Sequence, residues 1–193
     1  MCIFALYFDN INMDTTNKQF DDMAGICREI FSKKMHDYGA SWRILRPESV
    51  TDQILIKAKR IRSLEMKKMS KVDEGIFSEF IAIVNYGVIG LIQIDLGCTD
   101  TIDISEERAL ELYDRHIAEV KKLMLSKNHD YDEAWRVMRI SSYTDLILQK
   151  IHRTKEIENN NGKTLISEGV DANYQDMINY AIFGLIKLHF ETV

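Results

Sequence analysis

Residues 127–136 read KNHDYDEAWR, and residues 34–43 read KMHDYGASWR. The chain therefore contains two copies of a similar ten-residue motif, here called the repeated phrase, at a spacing of 93 residues. Aligned without a gap at that spacing, 34–60 and 127–153 share 14 of 27 residues. Self-similarity at a fixed period is the signature of a repeated structural unit. The sequence therefore predicts a tandem duplication.

The duplication extends beyond the phrase in the downstream direction. After a one-residue insertion, Asn85 aligns with Asn179 and Gly90 with Gly184. Upstream, apolar residues recur in both copies at steps of three or four, which is the buried stripe of a helix. The repeat is thus a unit of about ninety residues with helical periodicity throughout.

The predicted fold class is all-α. A single proline and 9 glycines in 193 residues leave few helix breaks. Each repeat is predicted to form three helices, roughly over 17–35, 51–67 and 74–96 in repeat 1 and over 105–128, 144–158 and 169–190 in repeat 2. We expect the second helix of each repeat to begin at a Thr-Asp pair, Thr51-Asp52 or Thr144-Asp145, because a short side-chain oxygen caps exposed backbone N–H groups.

The predicted domain boundaries follow from these helices. They are an N-terminal extension over 1–16, repeat 1 over 17–96, a polar linker over 97–106 and repeat 2 over 107–193. We expect the two three-helix units to pack about a pseudo-twofold axis into one helical bundle, so that one chain imitates a dimer. A further homodimer of the whole chain is also compatible with the sequence.

The amino-acid composition indicates which partners the protein binds and in which compartment it is found. The net charge of −5 lacks the basic footprint of a DNA-binding protein, which argues against a nucleic-acid partner. The 3 cysteines are widely spaced, and this fits a reducing cytoplasm and excludes a fully paired disulfide framework. No run of eighteen apolar residues occurs, and the short apolar start lacks the features of a signal peptide, so we expect a cytoplasmic protein without a membrane partner.

A polar arc on the third helix of repeat 2 is the first candidate site. Glu168, Asp171, Asp176 and Asn179 fall on one side of the helical wheel. Ile81 and Ala82 of repeat 1 align with Gln175 and Asp176, and the isoleucine suggests that the arc is at least partly buried. A buried carboxylate requires a cation or hydrogen-bond donors. Repeat 2, which keeps this aspartate, is interpreted as the functional half and repeat 1 as a degenerate half.

The partners predicted for Asp176 are Lys150, Arg153 or a divalent metal ion. Lys150 and Arg153 recur in both repeats and share one helical face. They are interpreted either as a solvated surface pair or as a clamp for phosphate, in which lysine acts as a point charge and arginine as a bidentate donor. Asp176 and Glu168 lie about 12 Å apart along one helix, so they cannot chelate one ion directly.

The aromatic residues of the repeated phrase have two interpretations. Trp135 and Tyr131, with their counterparts in repeat 1, can act as wedges between helices or can stack on a base. The His-Asp pair before the tyrosine either ends a helix or contributes to binding. A zinc site is not indicated, because no second histidine or cysteine lies at ligand spacing.

Three motifs carry a resemblance to a known family. K-x-H-D-Y-x-x-x-W-R, T-D-x-I-L-x-K-x-x-R and E-G-V-D-A-N-Y-Q-D-M-I-N-Y resemble the nucleotide-modification-associated domain 1 family, a domain of unknown function. The resemblance covers 18–190 in both repeats. It implies a role in nucleotide metabolism or modification, and a small-molecule nucleotide as ligand.

A more distant similarity is to the all-α nucleoside-triphosphate pyrophosphohydrolases of the MazG and dimeric-dUTPase group. Glu168, Asp171 and Asp176 are similar to the second acidic motif of those enzymes, which hold Mg²⁺ against a triphosphate. Their first motif, Glu-x-x-Glu on the preceding helix, is missing, and Glu156 and Glu158 stand nearby at another spacing.

Together these observations predict a Mg²⁺-dependent (deoxy)nucleoside-triphosphate pyrophosphohydrolase. The predicted roles are catalysis by Asp176 and Glu168, metal binding by Asp176, Asp171 and Glu168, and substrate binding by Lys150, Arg153, Tyr131, Trp135 and Asn179. The alternative is a non-catalytic helical module that binds a nucleotide or a partner protein.

Overall fold

The computed structural model describes residues 3–67 and 75–191, with side chains from Thr15 onward. This part of the chain forms six α-helices and two short 3-10 turns and contains no strand. The helices are α1 (Ile3–Tyr38), α2 (Pro47–Lys67), α3 (Ile76–Leu96), α4 (Glu106–Tyr131), α5 (Ile140–Asn159) and α6 (Val170–Phe190). The 3-10 turns, Ser41–Ile44 and Ala134–Val137, contain the Trp-Arg of the repeated phrase. The all-α, duplicated three-helix unit is therefore confirmed.

The second helices begin earlier than predicted. α2 starts at Pro47 and α5 at Ile140, so Thr51 and Thr144 lie inside the helices and cap neither of them. Proline suits the first turn of a helix, because its fixed φ matches the helix and its missing N–H would have no partner there. Both threonines are fully buried. The cap prediction was wrong because the two hydroxyls bond across to the other repeat.

The first helix also begins earlier than predicted, since the helical backbone of α1 starts at Ile3 and contains most of the predicted extension. Thr16 is fully buried, and its hydroxyl bonds to Glu133 and Arg136. The folded unit therefore includes at least the end of the 1–16 segment. Between the repeats, Ser105 accepts a hydrogen bond from the Arg108 N–H at the start of α4.

Contacts at equivalent positions join the two repeats in pairs. They are the ion pairs Arg28–Asp114 and Asp21–Lys121, the ion pairs Asp52–Lys155 and Arg62–Asp145, and the hydrogen bonds Thr51–Glu158 and Thr144–Glu65. In each pair, the two residues of one contact are equivalent, at the 93-residue spacing, to the two residues of the other contact. The units therefore pack about the predicted pseudo-twofold axis. Glu158, the acid nearest to the missing pyrophosphohydrolase motif, is used in this interface.

Two equivalent glycines bring α3 and α6 together at the centre of the bundle. A methyl group on Gly90 would lie 2.7 Å from the ring of Tyr174, and one on Gly184 would lie 2.9 Å from the ring of Phe80. Both rings are fully buried. Each repeat thus inserts an aromatic side chain into the glycine notch of the other, which sets the spacing of the helices that carry the candidate site.

The helix α3 is long and apolar enough to cross a membrane by length and composition alone, and 72% of its most apolar window is buried inside the bundle. Core helices of folded proteins commonly have this composition. Most of the apolar surface of α3 is covered by α2 and α6.

Candidate functional site

Each repeat contains a cavity between its first helix, its 3-10 turn and its third helix. The cavity of repeat 2 has a volume of about 320 Å³. It is lined by Met124, Lys127, Asn128, Tyr131, Ala134, Trp135, Met138, Leu146, Asp176, Asn179, Tyr180 and Phe183. The cavity of repeat 1, about 210 Å³, is lined by Phe31, Lys34, Met35, Tyr38, Ser41, Trp42, Ile44, Leu45, Ala82, Asn85, Tyr86 and Ile89. All but one lining position in each cavity has its equivalent in the other, so the two cavities are pseudo-symmetric copies.

The cavity of repeat 2 contains a buried carboxylate held by two lysines. Asp176 is 5% exposed, and its two oxygens lie 2.5 Å from Lys127 Nζ and 2.5 Å from Lys150 Nζ. Lys150 is the partner that the sequence predicted. Burial opposes the charge of the Lys127 ammonium, but the hydrogen bond and the negative charge of Asp176 outweigh it, and the pKa of Lys127 is raised. The cluster carries one net positive charge.

The other two predicted acids do not join Asp176. Glu168 and Asp171 are exposed at and before the start of α6. The charge of Glu168 reaches Lys127 and Tyr180, since it contributes to raising the pKa of both. Glu74, the counterpart of Glu168 in repeat 1, lies outside the described residues.

A magnesium site does not fit this arrangement of side chains. Each oxygen of Asp176 is paired with a lysine ammonium 2.5 Å away, so Mg²⁺ would have to displace both cations and find further oxygen ligands, which the exposed Glu168 and Asp171 do not bring to the site. Within residues 3–67 and 75–191, no three His, Cys, Asp or Glu side chains come together as metal ligands. We therefore derive no chemical step from a metal ion.

Arg153 lies at the edge of the site. It is exposed and lines a neighbouring cavity beside α5 rather than the cavity of repeat 2. Its charge still acts on Tyr180, where it lowers the pKa against a larger upward effect of burial and of Asp176. The two residues of the predicted basic pair therefore have different surroundings: Lys150 is buried against Asp176, and Arg153 faces solvent.

The two aromatic residues predicted to bind substrate, Trp135 and Tyr131, differ in exposure. Trp135 is 5% exposed, stacks on Phe183 at a centroid distance of 4.3 Å, and has the Arg136 guanidinium 4.4 Å from its ring centroid. These neighbours occupy the ring, so Trp135 acts as a wedge between helices and presents an edge to the cavity. Tyr131 is 70% exposed at the mouth and has a ring face available for stacking.

Asn179 lies in the wall of the cavity with half of its hydrogen-bonding capacity unused. Its amide donates to the Val120 carbonyl, but its buried Oδ1 has no hydrogen-bond partner among the described residues. The equivalent Asn85 accepts a 2.8 Å hydrogen bond from the Tyr113 hydroxyl. Pseudo-symmetry places Phe20, which has no hydroxyl, where Asn179 would need that donor.

This difference gives a stability prediction. Tyr113→Phe should lower the free energy of unfolding by about 1–2 kcal/mol, because it leaves the buried Asn85 oxygen without a donor. Phe20→Tyr should raise it by about 1 kcal/mol by supplying the missing donor to Asn179. Urea unfolding of the two variants measures both effects. Equal destabilisation by both substitutions would contradict the pseudo-symmetric assignment.

Sequence reasoning missed two parts of the site. Lys127, the first residue of the repeated phrase, is a direct partner of Asp176, and its recurrence as Lys34 was a signal. Repeat 1 also contains a buried acid: Glu79, 2% exposed, accepts from Arg60 and lies 3.4 Å from Lys57 Nζ. Repeat 1 therefore keeps a carboxylate with two cations, moved one helical turn upstream of the position equivalent to Asp176.

The repeated arginine and the residue that follows His-Asp-Tyr lie outside the cavity linings. Arg43 is 1% exposed and binds Asp103 in the linker, and Arg136 binds Glu133 and Glu191. The arginines therefore hold the 3-10 turns in place. Asp132, which directly follows His-Asp-Tyr where repeat 1 has Gly39, adopts the same left-handed conformation as that glycine. Its φ is 49°, and that of Gly39 is 63°.

Comparison with known proteins places the chain in a family. A search of curated proteins and a search of solved structures gave no significant match. The model of the nucleotide modification associated domain 1 family matches 34–94 and 127–188, one match in each repeat. The two matches together cover more than half of the chain and include all residues that line the two cavities except Phe31 and Met124. The protein therefore belongs to the nucleotide modification associated domain 1 family, whose domain it contains twice.

Proposed function

We propose that this protein binds a nucleotide in the cavity of repeat 2. The observation that carries the proposal is the convergence of Lys127, Asp176, Asn179 and the Tyr131 ring on one cavity of about 320 Å³. An apolar, aromatic-lined cavity with a few convergent polar groups is the usual form of a small-molecule site. The family description supports a nucleotide as the ligand class.

The side chains have separate roles in this proposal. The Lys127 side chain is 44% exposed, so donors that are not used by Asp176 are available for a phosphate at the mouth. Lys150 neutralises Asp176 and fixes its position, and Arg153 adds positive charge at the rim. Tyr131 supplies a stacking surface for the base; base–aromatic stacking is worth about 1–3 kcal/mol.

The two repeats also differ in the packing behind their cavities. The Trp135 Nε1–H and the Asn179 Oδ1 are buried without partners among the described residues, whereas Trp42 Nε1 in repeat 1 lies 3.3 Å from the Met35 sulfur. An unsatisfied buried polar group costs about 1–3 kcal/mol. Because both atoms are buried, this cost lies in the packing behind the cavity and not at its open surface.

The two tryptophans provide the test, because the chain has only these two and each lines one cavity. In ¹H–¹⁵N spectra, titration with nucleoside triphosphates should shift the indole signal of Trp135 in a saturable way. Lys127→Gln should weaken binding about tenfold through loss of a charge-assisted hydrogen bond. Lys122→Gln, an exposed change on the same helix outside the cavity, is the control and should bind normally. An unmoved Trp135 signal with every nucleotide tested would overturn the proposal.

Hydrolysis of the bound nucleotide, predicted from the resemblance to pyrophosphohydrolases, stays a prediction. The same samples test it by release of phosphate or pyrophosphate from a panel of dNTPs with and without Mg²⁺. Turnover that requires Mg²⁺ and is lost in Asp176→Asn, with the fold of that variant verified, would establish the enzyme. Binding that raises the melting temperature without turnover would identify the non-catalytic module.

A further inference from the structure

The cavity of repeat 1 differs from its copy mainly in charge. Ala82 stands where repeat 2 has Asp176, and Met35 where it has Asn128. Of the twelve residues that line the repeat 1 cavity, Lys34 alone is charged. The lining of the repeat 2 cavity, in contrast, contains both Lys127 and Asp176 and is neutral overall.

The shifted carboxylate of repeat 1 explains this difference. Glu79 lies three residues before Ala82 on α3, so it is on the same face but one turn away. It engages Lys57 and Arg60. Lys34 forms no ion pair or hydrogen bond with any residue that the structure describes. Lys34 is exposed and also lines an adjoining cavity with Lys57 and Glu79, so an ammonium without a direct carboxylate partner stands at the mouth of the apolar cavity.

The indole and amide groups of this wall are already used within the protein, whereas the hydroxyls of Ser41, Tyr38 and Tyr86 form no hydrogen bond with the described residues. Trp42 Nε1 is directed at the Met35 sulfur. Asn85 donates to the Cys27 carbonyl and accepts from Tyr113. A ligand in this cavity can therefore bond to these three hydroxyls, and Lys34 supplies the positive charge that selects it.

We infer that the repeat 1 cavity is a second ligand site, which takes a small aromatic anion with its carboxylate or phosphate group on Lys34. The volume of about 210 Å³ lies below the roughly 300–1,000 Å³ typical of drug-sized ligands, so the ligand has a single ring system. The Tyr38 and Tyr86 side chains in the lining provide aromatic contact to that ring. The site is separate from the nucleotide cavity, because it is built by α1 and α3 instead of α4 and α6.

Benzoate and benzamide, which have the same shape and differ in charge, are the probes. Benzoate should shift the Trp42 indole signal in a saturable way and leave the Trp135 signal nearly unchanged. Benzamide should bind at least about tenfold more weakly, because it lacks the charge that pairs with Lys34. Equal affinity for benzoate and benzamide, or an unmoved Trp42 signal, would overturn the inference.

Lys34→Gln tests the proposed anion partner directly. It should weaken benzoate binding about tenfold and leave benzamide binding unchanged. Lys33→Gln is the matched control: Lys33 is the neighbouring exposed lysine, pairs with Glu29 and does not line the cavity. Unchanged benzoate affinity in Lys34→Gln would overturn the inference. Because the nucleotide proposal is read from Trp135 and Lys127, failure of either proposal leaves the other standing.

Discussion

Lys150→Met is expected to lower the free energy of unfolding by about 3 kcal/mol. The change leaves Asp176, which is 5% exposed, with one partner that is itself 44% exposed in its side chain. Breaking a buried ion pair by removing one member typically costs about 3–5 kcal/mol, because the other charge stays buried without compensation. We take the lower end because Lys127 remains. Chemical denaturation at neutral pH gives the measurement.

Two comparisons isolate the cause. Lys127→Met should cost less than about 1 kcal/mol, because Lys127 is the more exposed partner and Lys150 still compensates Asp176. The double variant Lys150→Met/Asp176→Leu should recover most of the loss, since apolar replacements of a buried pair are often neutral or stabilising. Equal losses for the two single lysine variants would mean that burial does not distinguish their roles.

The second large effect is expected at the glycine notch between α3 and α6. Gly90→Ala should destabilise the protein by about 2 kcal/mol, because the new methyl group would lie 2.7 Å from the buried Tyr174 ring. That ring cannot move away easily, since its hydroxyl lies 2.8 Å from Thr51 Oγ1. Thermal unfolding of the variant gives the sign and the size of the effect.

Gly25→Ala is the matched control for this prediction. Gly25 also lies within a helix, and no other atom comes within 4 Å of the added methyl group. Alanine is favoured over glycine in a helix interior by about 1 kcal/mol, so this variant should be more stable than the native protein. If Gly90→Ala were also stabilising, the close packing of α3 on α6 would be refuted.

Sequence periodicity was sufficient for the fold but not for its helix starts. The repeat and its apolar stripe fixed the three-helix unit, because burial of one helical face is a local property of the sequence. The cap at Thr51 was wrong for a non-local reason: its hydroxyl bonds to Glu158 of the other repeat. A hydroxyl that caps a helix and one that bonds across an interface look alike in sequence.

In the candidate site, too, contacts that depend on how distant helices pack could not be predicted from the sequence. The pairing of Asp176 with Lys150 was among the predicted possibilities, because the alignment of its arc with Ile81 of repeat 1 indicated a buried acid that requires a cation. Lys127 was missed as its second partner, since α4 and α6 meet only in the folded bundle. Glu79 was missed because a column-by-column comparison does not reveal an acid that has moved by one helical turn.

The tyrosine hydroxyls at the interface between the repeats form hydrogen bonds from repeat 2 to repeat 1 without equivalents in the opposite direction. Tyr113 and Tyr174 both belong to repeat 2, and they bond to Asn85 and Thr51 of repeat 1; the equivalent residues of repeat 1, Phe20 and Phe80, return neither bond. A pair of repeat 2 units would satisfy every one of these contacts, and a pair of repeat 1 units would satisfy none. The two repeats are therefore no longer interchangeable: repeat 2 supplies both hydroxyls to repeat 1, and its own Asn179 oxygen receives none in return.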